Sequence, residues 1–418
     1  MNAIEVKVLK LKDREAIAEE FRKIGVHPKG AELMIPKALF KIIKVDRIDT
    51  RAANLVKQKM LSIGGDAAVP ECVSRFKRGK CSIIIFGTEL QYVKLAENLK
   101  FQPYGLKLLA EKIFSLLREE SSSRVKEVIL PRRKIKIPAG QPLIMGILNV
   151  TPDSFYDGGK YYDIDRAVAH AEFMISEGAQ IIDVGGESSR PGALPIAKEE
   201  EITRVVPVIK KIAKRTNTII SVDTYKAEVA ERAIEAGAEI VNDISALRLD
   251  KNMVDVVRKY KVGVILMHMR GTPRTMQKNI YYKDVISDIR NFLQKRAEHA
   301  IESGVNRNSI MVDPGIGFGK TVEHNLQVLS HLDEFKSLNF PLVLGTSRKS
   351  FIGKILGSEK NPLPPEERLV GSIATYAYAV LNGVDVLRVH DVKETREMIK
   401  VLSAIISVNS SKCNKIWN

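Results

Sequence analysis

From residue 143 onward, short apolar runs recur at intervals of roughly 20–45 residues, each followed by a stretch whose apolar side chains return every three or four positions. The runs predict strands at Leu143–Asn149, Ile181–Val184, Thr218–Asp223, Glu239–Asn242, Val262–His268, Ser309–Asp313, Pro341–Gly345 and Asp385–His390. The stretches between them predict helices over Ile164–Ser176, Lys198–Ala213, Lys226–Ala236, Lys251–Tyr260, Lys283–Ser303, Val322–Phe335, Glu366–Leu381 and Lys393–Ser407. Eight strands alternating with eight helices fit an α/β chain folded as a (β/α)8 TIM barrel. A doubly wound open sheet fits less well, because the first strand is not followed by a glycine-rich turn. Just upstream, Val128-Ile129-Leu130 and Ile135/Ile137 flank Pro131-Arg132-Arg133, which predicts a hairpin over about 126–138.

The first 122 residues have shorter and less regular patterns and are read as a small N-terminal α/β domain, the barrel occupying 123–418. Ile4–Leu11 alternates like a strand and Cys81–Phe86 like a short buried one, while Asp13–Ile24, Arg51–Leu61 and Leu106–Leu117 have helical spacing. Val26–Gly30 breaks the pattern. The tract Glu119–Arg124 is polar and turn-rich and reads as the linker. Gly64-Gly65-Asp66-Ala67-Ala68 could cradle a phosphate, but a turn ending the preceding helix is the commoner meaning of such a run.

Composition changes this picture little. The chain has 418 residues, 44% apolar and 28% charged, enough for two domains with a large core. The net charge of +16 sits almost wholly at the front: residues 1–140 hold 29 Lys/Arg against 16 Asp/Glu, and the remainder 37 against 34. Such a basic excess can steer polyanions, yet a solvated lysine-rich face is the ordinary explanation, so no nucleic-acid partner is expected. No apolar run is long enough to span a membrane, and the N-terminus lacks the apolar core of a secretory signal. Three scattered cysteines make neither a disulfide framework nor a zinc site, which points to a cytoplasmic protein.

The chemistry gathers at the strand ends, where a barrel of this kind builds its active site. In order these ends carry Asn149, Asp183, Asp223, Asn242-Asp243, His268, Asp313, Arg348-Lys349, and Arg388 with His390. One polar residue there is usually a helix cap. Eight in eight, all expected at one mouth, imply a site. Asp223, Asn242 and Asp313 suit the N–H and NH2 donors of an amino-pyrimidinone ring. Lys349, Arg190, Arg388 and His390 suit an anion. Asp183 reads equally well as a ligand group or as the orienter of a neighbour. No G-x-S-x-G elbow and no zinc-binding helix occur, and Ser347 reads as a loop contact. The pattern points to group transfer with a phosphate-type leaving group.

The motifs at these positions closely resemble those of dihydropteroate synthase. They are Met145–Phe155 (MGILNVTPDSF), Asp183–Ala193 (DVGGESSRPGA), Ser221–Thr224, Val241–Ile244, Met267–Pro273 (MHMRGTP), Asp313–Gly319 (DPGIGFG), Ser347–Lys349 and Arg388–Asp391. The resemblance implies condensation of 7,8-dihydropterin-6-ylmethyl diphosphate with p-aminobenzoate, assisted by Mg2+. It implies that Asp223, Asn242, Asp313 and Lys349 hold the pterin, and that Asn149, Arg388 and His390 hold the diphosphate, Asn149 lying closest to the metal. It also implies that Ser189, Arg190, Pro191 and Ser350 line the aminobenzoate side, while Phe155 and Asp157 ride on a closing loop. A homodimer through late helices is the family's habit. A pterin-dependent methyltransferase, or a synthase for a modified aminobenzene, stays open at this point. The N-terminal domain has no counterpart in the minimal enzyme, and nothing in it suggests a second folate enzyme.

Overall fold

The computed structural model describes residues 4–9, 11, 13–121, 126–138, 140–151, 160–188 and 192–408. The chain divides into two compact units, a first comprising Met1–Arg124 together with Ile405–Asn418 and a second spanning Val125–Ala404.

The first unit contains α1 (Arg14–Lys23), α2 (Pro28–Ala38), β1 (Phe40–Asp49), α3 (Thr50–Ser62), β2 (Asp66–Ala68), α4 (Glu71–Ser74), β3 (Lys80–Thr88), α5 (Glu89–Leu99) and α6 (Leu106–Ser121). The three strands pair antiparallel in the order β1-β3-β2. Val56 and Met60 of α3, Ile83 and Ile85 of β3, Tyr92, Leu95 and Leu99 of α5, and Leu106 and Ile113 of α6 form its core. The small α/β domain is therefore present, though several details differ from expectation. Residues 4–9 form no strand, and Ile4, Val6 and Val8 stand almost fully exposed. Alternation makes a strand only when a neighbour takes its backbone groups. The break expected over Val26–Gly30 ends early, because Pro28 starts α2, where its missing N–H costs nothing. The turn reading of Gly64 holds: its N–H returns to Leu61 O and its φ is +81°. The expected linker is partly helical, since α6 continues to Ser121; residues 122–124 lie outside the described set.

The second unit opens with the hairpin, β4 (Lys126–Ile129) and β5 (Lys134–Ile137). Eight strands follow: β6 (Leu143–Asn149), β7 (Ile181–Gly185), β8 (Ile219–Asp223), β9 (Ile240–Asp243), β10 (Gly263–Met267), β11 (Ile310–Asp313), β12 (Val343–Leu344) and β13 (Val386–Val389). They pair parallel in the order β11-β10-β9-β8-β7-β6-β13-β12, and a parallel bridge between Val312 and Leu342 closes the ring. The connecting helices are α7 (Lys160–Glu177), α8 (Lys198–Arg215), α9 (Ala227–Ala236), α10 (Met253–Tyr260), α11 (Val285–Glu302), α12 (Val322–Ser330), α13 (Leu332–Lys336), α14 (Ser350–Leu356), α15 (Leu369–Leu381) and α16 (Val392–Val408). The (β/α)8 barrel is thus observed. The helix expected over Val322–Phe335 breaks at His331 into α12 and α13, and the strand at Pro341–Gly345 shrinks to two residues. No helix among the described residues is long and apolar enough to cross a membrane.

Strand alternation sets what faces inward. Leu143, Met145, Ile181, Ile219, Ile240, Ile265, Met311, Val343 and Val386, from all eight strands, pack with Val128, Leu130, Ile135 and Ile137 of the hairpin in one cluster. The intervening residues, among them Ile182, Val184, Ile220, Val222, Val241, Val264 and Leu387, pack outward with the helices. On five of the strands the same inward parity two residues further on falls on Asp183, Ser221, Asn242, Asp313 and Arg388, and two further still on Asp223 and His390. One end of the barrel interior is apolar and plugged; the other is polar.

Candidate active site

Arg388 organises the polar end. Its Nε donates to Asp183 Oδ2 at 2.6 Å, and its Nη2 donates to Asp223 Oδ2 at 2.6 Å. Asp183 Oδ2 also accepts from Asn242 Nδ2 at 3.0 Å. Side chains from β7, β8, β9 and β13 are thereby joined across the barrel. Burial works against the charge on Arg388, but Asp183 and Asp223 outweigh it and push the guanidinium's pKa up. Burial likewise pushes the Asp223 carboxyl up, opposed by Arg388. Asp183, evenly balanced in the sequence between ligand group and orienter, is fully buried and holds Arg388 and Asn242 in place. Its Oδ1 and the Ser221 hydroxyl are buried without a hydrogen-bond partner among the described residues. Orphaned buried polar atoms of this kind mark a place that a polar ligand completes.

A second cluster lies at the ends of β11 and β12. Asp313 Oδ1 accepts from Gly315 N at 2.6 Å. Lys349 Nζ donates to Ile316 O and lies 4.7 Å from the centre of the Phe318 ring. Burial pulls the Lys349 pKa down to about 8, with Asp313 opposing, and pushes Asp313 up, with Lys349 opposing. Gly315 has to be glycine: its φ is +68°, and a Cβ there would meet His268 O at 2.0 Å. The hydrogen bonds already made leave one oxygen each on Asp223, Asn242 and Asp313 as acceptors, beside one ammonium and one guanidinium.

Asn149 ends β6 and is partly exposed; a Cβ built on Gly185 would lie 3.9 Å from its Oδ1 and 3.5 Å from the Asp223 Cβ. His390 is held by Ser347 Oγ, which accepts from its N–H at 3.1 Å and touches Nδ1 at 2.8 Å, so Ser347 is the loop contact expected. Ser350 begins α14 and is exposed. The structure thus brings together Asp223, Asn242, Asp313, Lys349 and Arg388. Phe155, Asp157, Ser189, Arg190 and Pro191 lie outside the described residues.

Three other strand-end groups have internal partners. Asp243 accepts from the backbone N–H groups of Ser245 and Leu247. The Arg348 guanidinium pairs with Asp391. His268 contacts Lys320 Nζ at 2.9 Å, and burial, then Lys320, pulls its pKa well below the usual histidine range. Lys320 was absent from the sequence candidates. Its only signal was a lysine ending a glycine-rich run after a strand, a place where exposure is the default.

Residues 145–390 match the family model described as "Pterin binding enzyme". The dihydropteroate synthase of Bacillus subtilis is 47% identical over 265 residues, covering 63% of this chain and 89% of that protein. The Yersinia pestis dihydropteroate synthase solved with a sulfonamide drug complex superposes with a TM-score of 0.62 at 41% identity, covering 68% of this chain and 99% of that one. The Xanthomonas albilineans dihydropteroate synthase solved with 7,8-dihydropteroate gives 0.60 at 38% identity, covering 67% and 99%.

Proposed function

The chain belongs to the dihydropteroate synthase family of pterin-binding enzymes, and from that premise we propose how its own residues divide the reaction. The observation that carries the reading is the joined set Asp183, Asp223, Asn242 and Arg388 beside Asp313 and Lys349, all at the polar end of one barrel. The open oxygens of Asp223, Asn242 and Asp313 accept the donors of the pterin ring, and Lys349 donates to its carbonyl edge. Arg388 and His390, with Asn149, receive the diphosphate. Ser350, together with Ser189, Arg190 and Pro191, serves the arylamine, and Phe155 and Asp157 belong to the closing loop; for these the support is the motif.

The reaction transfers a pterinylmethyl group. The methylene C–O bond breaks with its electron pair leaving on the diphosphate, and the electron-rich ring carries the cation that forms. The amine lone pair of p-aminobenzoate then makes the C–N bond and its N–H proton is released. Arg388 stabilises charge on the departing oxygens, and loop closure keeps water from the cation. The proposed reaction needs no covalent nucleophile from the protein. The methyltransferase alternative requires the pterin acceptors but no diphosphate grip, and the relatives above are synthases.

Mg2+ fits this site as a partner of the substrate's phosphate oxygens. Among the described residues no cluster of three or more His, Cys, Asp or Glu forms a metal cage, while Asn149 is partly exposed, with its Oδ1 beside Gly185 and Asp223. Mg2+ keeps several waters and takes oxygen ligands together with substrate phosphates, so Asn149 would be the protein group to hold it. When bound, the ion would neutralise charge on the leaving diphosphate. A homodimer is supported by exposed apolar side chains on the late helix α15, Val370, Tyr378 and Leu381; a sedimentation measurement finding a monomer would remove that element. The activity is tested with the pterin diphosphate and labelled p-aminobenzoate, with and without Mg2+. Equal release of diphosphate and dihydropteroate is expected, and turnover without diphosphate release would overturn the reading.

A further inference from the structure

Lys320 is 3% exposed, yet its charge-bearing end is fully engaged. Nζ lies 2.9 Å from His268 Nδ1, 2.8 Å from Gly315 O and 3.2 Å from Phe318 O. Three acceptors match the three N–H bonds of an ammonium. Burial pulls the Lys320 pKa well below the usual lysine range, with Asp313 opposing, while the three acceptors favour the protonated form. None of the steps above uses it.

What it holds is the backbone between Gly315 and Gly319. Two of the three contacts clamp carbonyls at either end of the turn Gly315–Phe318, which a Phe318 N–H to Gly315 O bond closes at 3.2 Å. The third fixes the turn to the end of β10, through His268. The same turn presents the Gly315 N–H that caps Asp313, and the Ile316 carbonyl and Phe318 ring that receive the Lys349 ammonium. Asn325 Oδ1 and Gln277 Nε2 hold Gly317 from outside. All three glycines of the turn have positive φ, a conformation with few alternatives to fall back on and little side-chain packing of its own.

We propose that Lys320 is a positioning residue of the pterin subsite, a buried lysine whose Nζ sets the Gly315–Gly319 turn and through it the placement of Asp313 and Lys349. The proposal rests on the reading of those two residues as pterin ligands. His268 takes part as the acceptor that orients Lys320: with Nδ1 accepting, its ring proton resides on Nε2. In its protonated form Lys320 also favours the ionised Asp313, beside the stronger effects of Lys349 and Arg388.

The test is Lys320→Met in the full chain, beside Asp313→Asn as a control on the site itself. Titration with 6-hydroxymethylpterin should show affinity reduced about tenfold or more. KM for the pterin diphosphate should rise while KM for p-aminobenzoate holds. The acid limb of pterin binding should move to higher pH, because Asp313 loses a cation that favours its ionised form. Amide hydrogen exchange at Gly315 and Gly317 should speed up whatever the site binds. A folded variant with unchanged exchange, affinity and acid limb would show that Lys320 only fills space. If Asp313→Asn leaves affinity untouched while exchange in Lys320→Met still rises, the pterin assignment fails and the loop role stands. Should Lys320→Met not fold, His268→Phe removes one acceptor at similar volume. It is expected to weaken pterin binding about threefold in the same direction, and no change would overturn the proposal.

Discussion

Most ion pairs of the first unit are short-range and exposed, with Arg14–Glu89 the exception, whereas those at the polar end of the barrel are long-range and buried. In the first unit Arg22–Glu19, Lys23–Glu20, Arg51–Asp49 and Arg75–Glu71 join side chains two to four residues apart on exposed surfaces. In the barrel, Arg388 reaches partners 205 and 165 positions away, one of them completely buried. The first unit carries most of the chain's net charge, largely on exposed side chains. The second is nearly neutral and concentrates a few charges where water is scarce and Coulomb interactions are strong. Net charge therefore says where the surface is, and buried charge says where the chemistry is.

The sharpest way to break that contrast is to remove one cation from each unit. Arg388→Met leaves Asp183 and Asp223 buried without their partner, and should cost about 3–5 kcal/mol of stability and abolish product formation. Arg51→Met removes an exposed pair with Asp49 and a contact with the Tyr104 ring, and should cost far less than Arg388→Met. Urea denaturation of both variants measures the difference, and similar losses would erase the distinction. Next in size are Asp223→Asn and Asp313→Asn, each exchanging an acceptor-only oxygen for a donor. Pterin affinity should fall by about 10- to 150-fold, read by calorimetry; unchanged affinity in both would remove them from the pterin site.

A smaller effect separates binding from stability at Lys349. Burial holds its pKa near about 8, below its usual 10.5. Pterin affinity that depends on the ammonium should hold below pH 8 and decline above it. Stability moves the other way: between about 8 and 10.5 the unfolded chain binds more protons at this residue than the folded one, so its contribution to stability rises with pH. Lys349→Met should lose both slopes. A wild-type affinity flat from pH 7 to 9.5 would detach the ammonium from binding.

The same contrast explains what could be read in the sequence. Barrel strands were legible because both faces are buried, giving short apolar runs such as Leu143–Asn149 whose ends fall where expected. In the first unit β1 was not foreseen. Its alternation is interrupted by a register shift between Val45 and Ile48, with Arg47 at φ +58°. The strand expected at Ile4–Leu11 has the right pattern and no partner, which pattern alone cannot reveal. Within the site, residue types at the strand ends marked Asp223, Asn242, Asp313, Lys349 and Arg388. Asp183 could not be assigned from sequence, because its role depends on contacts 59 and 205 residues away. Lys320 was invisible for a related reason, since its burial follows from the turn it clamps.

The smallest expected effect tests the central claim, that the barrel carries the reaction and the first unit contributes no reacting group. Residues 123–418 are expressed alone, the folded fraction is counted by pterin titration, and dihydropteroate formation per folded molecule is compared with the full chain. Equal kcat, within about twofold, is the expected result, since every buried charge assigned above lies beyond residue 124. A fragment that binds pterin with full-chain affinity yet makes no product would contradict it.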